Sequence, residues 1–348
     1  MNKTRPWRSS TVMAASALAI AAIAALGFVA LASHTLAERP KHAEAKLRQC
    51  HFHGEAEPHR GMVWIPAGRY EEGDNVYPEE QPVVPARVAG FWMDSHEVTN
   101  AEFAAFVKAT GYVTDAERPV DPATHQGLPP DMLKPGAVVF FMPKHIAGTE
   151  NIAQWWHYVP GANWRHPAGP ASSIAGRENY PVVEVTHADA AQYARWRHRA
   201  LPSEAEWEWA ARGGNPKAYL DHDQPKGANT WQGVFPVVNS GADGFVGLAP
   251  SGCYAPNAYG LYDMIGNVWE LTDDIYRPSH GGDPAPDQTI SRDDAVLRYT
   301  IKGGSFLCAP NYCARYRSGA REGQEADLAV SHLGFRTILR APESAEPQ

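Results

Sequence analysis

Ile301-Lys302-Gly303-Gly304-Ser305-Phe306-Leu307-Cys308-Ala309-Pro310-Asn311-Tyr312-Cys313 holds a glycine pair, a central proline and two cysteines within thirteen residues. The glycines permit a tight backbone approach, and Pro310 prevents a regular helix between the thiols. The stretch reads as a loop that folds back and aims both sulfurs at one spot. Spacing alone leaves three outcomes open for Cys308 and Cys313: a disulfide, a redox or metal-binding pair, or two unpaired thiols. Two thiolates without a nearby His or carboxylate ligand favour a soft ion of low coordination number. Cu(I) fits that description better than a four-coordinate structural zinc.

The irregular character extends outward. Eleven Trp and 29 Pro in 348 residues suggest a loop-rich domain pinned by aromatic side chains. From Gly214 to Arg340 the chain reads as short strands and turns, and Val120 to Tyr180 as a long ordered excursion over the surface. Three helices stand out before and between these stretches. Thr99 with Glu102, Thr186 with Asp189, and Ser203 with Glu206 each have capping-box spacing, and apolar residues follow at helical intervals. The first helix is expected to end before Gly111 and the third at Gly213. Organised sequence begins near Met62 with a short strand ending in a turn, and a second apolar stretch runs from Val88 to Met93. No internal repeat is visible. The expected fold is one α+β domain over residues 61–342 with little regular secondary structure, followed by a tail at 343–348.

Lys3, Arg5 and Arg8 precede an apolar run from Val12 to Ala32, long enough as a helix to cross a ~30 Å hydrocarbon core. Residues 1–33 therefore read as a membrane anchor or, given Ala30-Leu31-Ala32, a cleaved signal peptide. The Ala-rich core looks bacterial, so the domain is expected to be exported: anchored by a single pass and facing the periplasm, or periplasmic after cleavage. Residues 34–60 read as a polar linker. Within it Cys50-His51-Phe52-His53 is either part of a solvated tether or a soft-metal motif. Net charge is −8 and no basic block follows the N-terminus, which argues against a nucleic-acid partner.

The blocks around the two cysteines resemble formylglycine-generating enzymes, or sulfatase-modifying factors. Gly303 to Cys308, Tyr312-Cys313-Ala314-Arg315-Tyr316-Arg317 and Leu333-Gly334-Phe335-Arg336 carry the likeness near the cysteines. Glu97 to Asn100, Pro181 to Val183, Leu201 to Glu208 and Gly260 to Glu270 extend it over almost all of residues 60–340. Many of these blocks mark a whole superfamily, and Cys308 with Cys313 is the discriminating feature. The resemblance implies a fold like that of C-type lectins. It also implies a copper-dependent oxidase acting on an unfolded sulfatase polypeptide with a Cys-x-Pro-x-Arg segment, using O2 and a thiol reductant.

By that resemblance Cys308 and Cys313 hold Cu(I), the substrate thiolate joins them, and Ser305 and Trp269 line the catalytic site. Two structural calcium ions are implied as well. Asn229, Thr230, Asp243 and Phe245 match one site; Asp263, Gly266, Val268 and Glu270 match the other, and a hard cation wants such oxygen donors. His332 and Ala200 depart from the family pattern, and His332 bears on a polar contact at the substrate side. Cys253 takes no role in this reading, and the chain is expected to be monomeric. Two other functions compete with this one: a noncatalytic C-type-lectin-like binding module, and a non-haem iron sulfoxide synthase relative, whose usual helical His-bearing domain is missing here.

Overall fold

The computed structural model describes residues 50, 59, 61–123, 125–217, 222–280 and 296–341. The expected anchor or signal at 1–33, the tail and His51 and His53 lie outside them. No helix among the described residues is long and apolar enough to cross a membrane.

Strands dominate but are short. β1 (Met62–Ile65), β2 (Gly68–Glu72), β3 (Val84–Val88) and β4 (Phe91–Asp94) open the domain. β5 (Gly136–Phe140) and β6 (Trp156–Pro160) form a hairpin, as do β7 (Gly233–Val234) and β8 (Val238–Asn239). β9 (Trp269–Ile275), β10 (Arg298–Lys302), β11 (Arg321–Glu325), β12 (Leu333–Gly334) and β13 (Ile338–Arg340) complete the set. The four-stranded sheet has the order β11-β10-β9-β12, with β12 parallel to β9 and the other pairs antiparallel. A second sheet, β1-β4-β13, brings the two ends of the domain together.

The α-helices among the described residues are α1 (Asn100–Thr110), α2 (His187–Trp196) and α3 (Glu204–Ala211), and each begins with its expected capping box. Gly111 closes α1 in the left-handed conformation, φ 68°, and Gly213 follows α3 at φ 57°. Phe103, Phe106 and Tyr193 from α1 and α2 pack with Trp269, Ile301, Leu333 and Phe335 in the largest core, which also contains Cys308 and Cys313. The α+β, loop-rich expectation holds.

Two expectations need correcting. Residues 120–180 are not only a surface excursion: they supply the β5–β6 hairpin and the buried Trp155 and Trp164. Their strands are five residues long and lie between Pro- and Gly-rich turns, too short for periodicity to show. Cys50 and Cys253 are also neither tether nor idle thiol, because they form a disulfide. The Cys50 sulfur is thereby withdrawn from any soft-metal site in the linker.

Candidate active site

The site begins where β10 ends. Gly303 and Gly304 take φ values of 91° and 73°, which L side chains rarely adopt. A Cβ on Gly303 would lie 2.8 Å from the Met264 carbonyl oxygen, and one on Gly304 2.7 Å from that of Arg315. The chain can therefore double back only because both side chains are absent. Phe306 N–H then anchors the loop on the Asn267 carbonyl at 2.9 Å, and Cys308 N–H donates to Ser305 O at 2.9 Å. A second turn, with Cys313 N–H donating to Ala309 O at 2.9 Å, returns the chain to the same place.

The two turns bring Cys308 Sγ and Cys313 Sγ to 2.8 Å, as free thiols rather than a disulfide. Of the three outcomes left open by spacing, the disulfide is thus the one not adopted. The thiols are 1% and 8% exposed. Burial pushes Cys308 well above the ordinary thiol range, whereas the hydrogen bond from Cys308 holds Cys313 below it. Cys313 is thus the sulfur that ionises first, and Cys308 keeps the shared proton. The backbone N–H of Ser305 also points at Cys308 Sγ, 3.4 Å away.

Ser305, Trp269, Cys308 and Cys313 line one cavity of about 530 Å³. Trp269 is placed by the parallel β9–β12 junction, where its N–H donates to His332 O at 2.9 Å. Ser305 Oγ accepts from Leu307 N–H at 3.3 Å. Trp156, Ile152 and Leu328 give the cavity an apolar wall, and Arg315, Glu322 and Gln324 a polar one. His332 lines it too, edge-on to Trp156 with ring centroids 4.8 Å apart. Its Nδ1 is buried without a partner, and burial lowers its pKa to about 3, so the imidazole is neutral.

The expected calcium residues divide differently. Asp243 is buried and accepts from Thr230 N–H at 3.0 Å and Phe245 N–H at 3.2 Å, so these three residues are brought together. The Asn229 amide nitrogen donates to Gly247 O and to Asn267 Oδ1. In the second set, Glu270 is engaged by Arg336 at 2.6 and 2.7 Å and by Trp207 Nε1 at 2.8 Å. Asp263 accepts from Gly252 N–H at 2.5 Å, and burial raises it to about 6.

Sequence reasoning missed the acid beside it. Glu97 is fully buried, its Oε2 has no hydrogen-bond partner, and burial followed by Asp263 pushes it up to about 8. Two neighbouring buried carboxyls held above their usual range are what a divalent cation beside them would relieve, and Glu97 and Asp263 are oxygen donors of the kind calcium takes. Nothing local in Glu97-Val98-Thr99-Asn100 marks this role; the signal exists only once Asp263 is alongside. Elsewhere Glu72, Glu204 and His280 also place ligand atoms within 4.8 Å of one another. There Glu204 already pairs with Lys302 and Arg321, which accounts for its charge.

Residues 49–341 match the family described as "Sulfatase-modifying factor enzyme 1-like domain". The chain is 48% identical over 289 residues to the "Formylglycine-generating enzyme" of Mycobacterium tuberculosis, covering 80% of this chain and 97% of that one. It is 37% identical over 299 residues to a Mus musculus protein named "Inactive C-alpha-formylglycine-generating enzyme 2", covering 82% and 87%. The solved structure of PvdO from Pseudomonas aeruginosa matches with a TM-score of 0.54 at 24% identity, over 84% of this chain and 98% of that one. That last likeness is one of fold.

Proposed function

Because the chain belongs to the sulfatase-modifying factor enzyme 1-like family, we propose that it converts a cysteine of a sulfatase polypeptide to Cα-formylglycine, with Cu(I) held by Cys308 and Cys313. The observation that carries the reading is the pair of buried free thiols 2.8 Å apart in a cavity large enough for a side chain. Family membership alone would not carry it, since one relative bears a name that calls it inactive.

No carboxylate or imidazole hydrogen-bonds either sulfur among the described residues, so the donor set is purely thiolate and suits a soft monovalent ion. When bound, copper would supply the redox chemistry with O2 that a protein side chain lacks. The chain's own residues do the rest. Cys313 ionises first and Cys308 yields the remaining proton. Trp269 and the apolar wall keep water from the sulfurs, which strengthens every polar interaction inside. Ser305 offers a neutral hydroxyl beside the reacting sulfur. The overall change consumes one peptidyl CH2–SH, one O2 and two reductant thiols. It yields the aldehyde, hydrogen sulfide, water and one reductant disulfide.

Two structural calcium ions belong to the proposal. The first takes Asn229, Thr230, Asp243 and Phe245; the second takes Asp263, Gly266, Val268 and Glu270, with Glu97 added. An exported, monomeric protein attached to or released from the membrane by residues 1–33 is part of the same reading. The Cys50–Cys253 disulfide supports it, because such bonds persist in oxidising compartments.

The test is to incubate the full chain, loaded with Cu(I), with a Cys-x-Pro-x-Arg peptide under air and a thiol reductant, and to follow the aldehyde by mass spectrometry. Copper-dependent conversion that is lost in Cys308→Ala and in Cys313→Ala is the expected result. Stoichiometric copper without conversion would point to another thiol substrate. Neither copper nor conversion would leave a binding module.

A further inference from the structure

We propose that the free edge of β11 docks the polypeptide flanking the reacting cysteine as an added, extended strand. The inference rests on the reading above that the thiol cavity receives a peptidyl cysteine. With the thiols 1% and 8% exposed, a cysteine on a folded surface cannot reach them. It must arrive on an extended chain whose flanks lie across the cavity mouth.

Among the described residues β11 is the outermost strand of its sheet. Ala326 N–H donates to Leu297 O at 2.9 Å, which continues the β10–β11 register and fixes its alternation. Glu322 and Gln324 exchange bonds with Ile301 and Tyr299, so Gly323 and Glu325 turn their backbone groups outward. The Glu325 carbonyl accepts weakly from Leu328 N–H at 3.4 Å and from Gln324 Nε2 at 3.5 Å. Gly323 N–H, Gly323 C=O and Glu325 N–H have no partner among the described residues. An incoming strand needs just such an alternating row.

The row is continuous with the site. Glu322, Gly323 and Gln324 line the thiol cavity, and the same three with Glu325 line an adjoining cleft of about 380 Å³. Gly323 presents no side chain to hold another backbone away, and its Cα is backed by the Tyr276 ring, which a Cβ would meet at 2.5 Å. Charged residues on an edge often serve only to discourage pairing. Here, however, Glu322 lies 3.8 Å from Arg315 and Glu325 3.7 Å from Arg298, so the rim is close to neutral and repels no partner by charge. Backbone pairing along β11 would tolerate varied flanking sequence and leave recognition of the motif to the cavity.

The experiment modifies the peptide and leaves the full chain intact. A fluorescent Cys-x-Pro-x-Arg peptide with Cys replaced by Ser and a flank on each side is N-methylated at successive amides, and its affinity is read by anisotropy. We expect one flank to show a period of two: affinity about tenfold weaker at alternate positions and within about twofold between them. A flat profile in both flanks, equal affinity after both flanks are removed, or no binding of the unmodified peptide would overturn the docking. Turnover of the matching Cys peptides is scored separately. Conversion with a flat profile keeps the activity and removes the docking; an alternating profile without conversion does the reverse.

Discussion

Two regions meet at Gly303-Gly304 and are built on opposite principles. On the β10 side, Lys302 Nζ enters a buried lattice of ions, 2.8 Å from Glu208 and 3.3 Å from Glu204. Glu208 also pairs with Arg212, Glu204 with Arg321 and His280, and Arg317 with Glu80 and Asp74. Burial would raise Glu204, but Lys302, His280 and Arg321 outweigh it and hold the carboxyl far below its ordinary value. On the other side, Cys308 and Cys313 have little but each other. In the lattice Glu204, Glu208, Glu80 and Asp74 are each spent on a cation, so none of these four is free to compete for an ion in the cavity. The contrast separates groups that hold the loop from groups available for reaction, by whether their bonding capacity is already used.

Substitutions on the two sides should therefore fail in different ways. Cys308→Ala is expected to lower conversion at least about a thousandfold, with thermal unfolding close to that of the parent chain. A large loss of stability in that variant would move Cys308 to the structural side. Lys302→Met leaves Glu204 and Glu208 buried without their shared cation, and removal of one partner of a buried ion pair costs about 3–5 kcal/mol. Urea unfolding should show that loss, while the rate per folded molecule changes less than about tenfold. A variant that is stable but inactive would erase the distinction between the two regions.

How much of this could be read from sequence follows from the range of each interaction. The three capping boxes were legible because Thr99 with Glu102, Thr186 with Asp189 and Ser203 with Glu206 are local pairs that the structure reproduces. The loop character of residues 303–313 was legible for the same reason, since glycine and proline act on their own backbone. The thiol pair was not: C-x4-C spacing allowed three outcomes, and only folding sets the sulfurs 2.8 Å apart. That Ser305 and Trp269 share a cavity with the cysteines came from resemblance, because Trp269 is brought there by a strand pairing with Leu333. Glu97 was passed over because its raised pKa comes first from burial and then from an acid 166 residues away in sequence, at 263 against 97, and neither is local. Cys50 with Cys253 was missed on the same ground, at a separation of 203 residues.

That disulfide gives the next largest effect and sharpens the comparison from the side of sulfur itself. One cysteine pair closes a long loop, and the other stays reduced in a cavity. Cross-linking across a long loop typically contributes about 2–4 kcal/mol. Cys50→Ser combined with Cys253→Ser should lose about that much in denaturant unfolding. Copper binding at Cys308 and Cys313 should remain stoichiometric. Loss of copper in this variant would mean that the two pairs are coupled, for instance through Gly252, whose N–H donates to Asp263.

The smallest effect probes Glu72, an acid of the lattice that has no ion pair of its own among the described residues. Burial first, then Glu208 and Glu204, push Glu72 up to about 7, with His280 and Lys302 opposing. Its folded pKa therefore lies above the unfolded value of 4.5, and the folded state binds the proton more tightly. The associated stability is complete below the unfolded pKa and is lost as pH rises through the folded one. Glu72→Gln carries no such titration. Parent and variant should be nearly equal at about pH 4.5, and the variant should become the more stable by on the order of 1 kcal/mol at about pH 8. Parallel stability curves for the two chains would mean that the lattice neutralises Glu72 as fully as it does Glu204. Every acid on that side would then be spent, and the contrast with the open thiols would be complete.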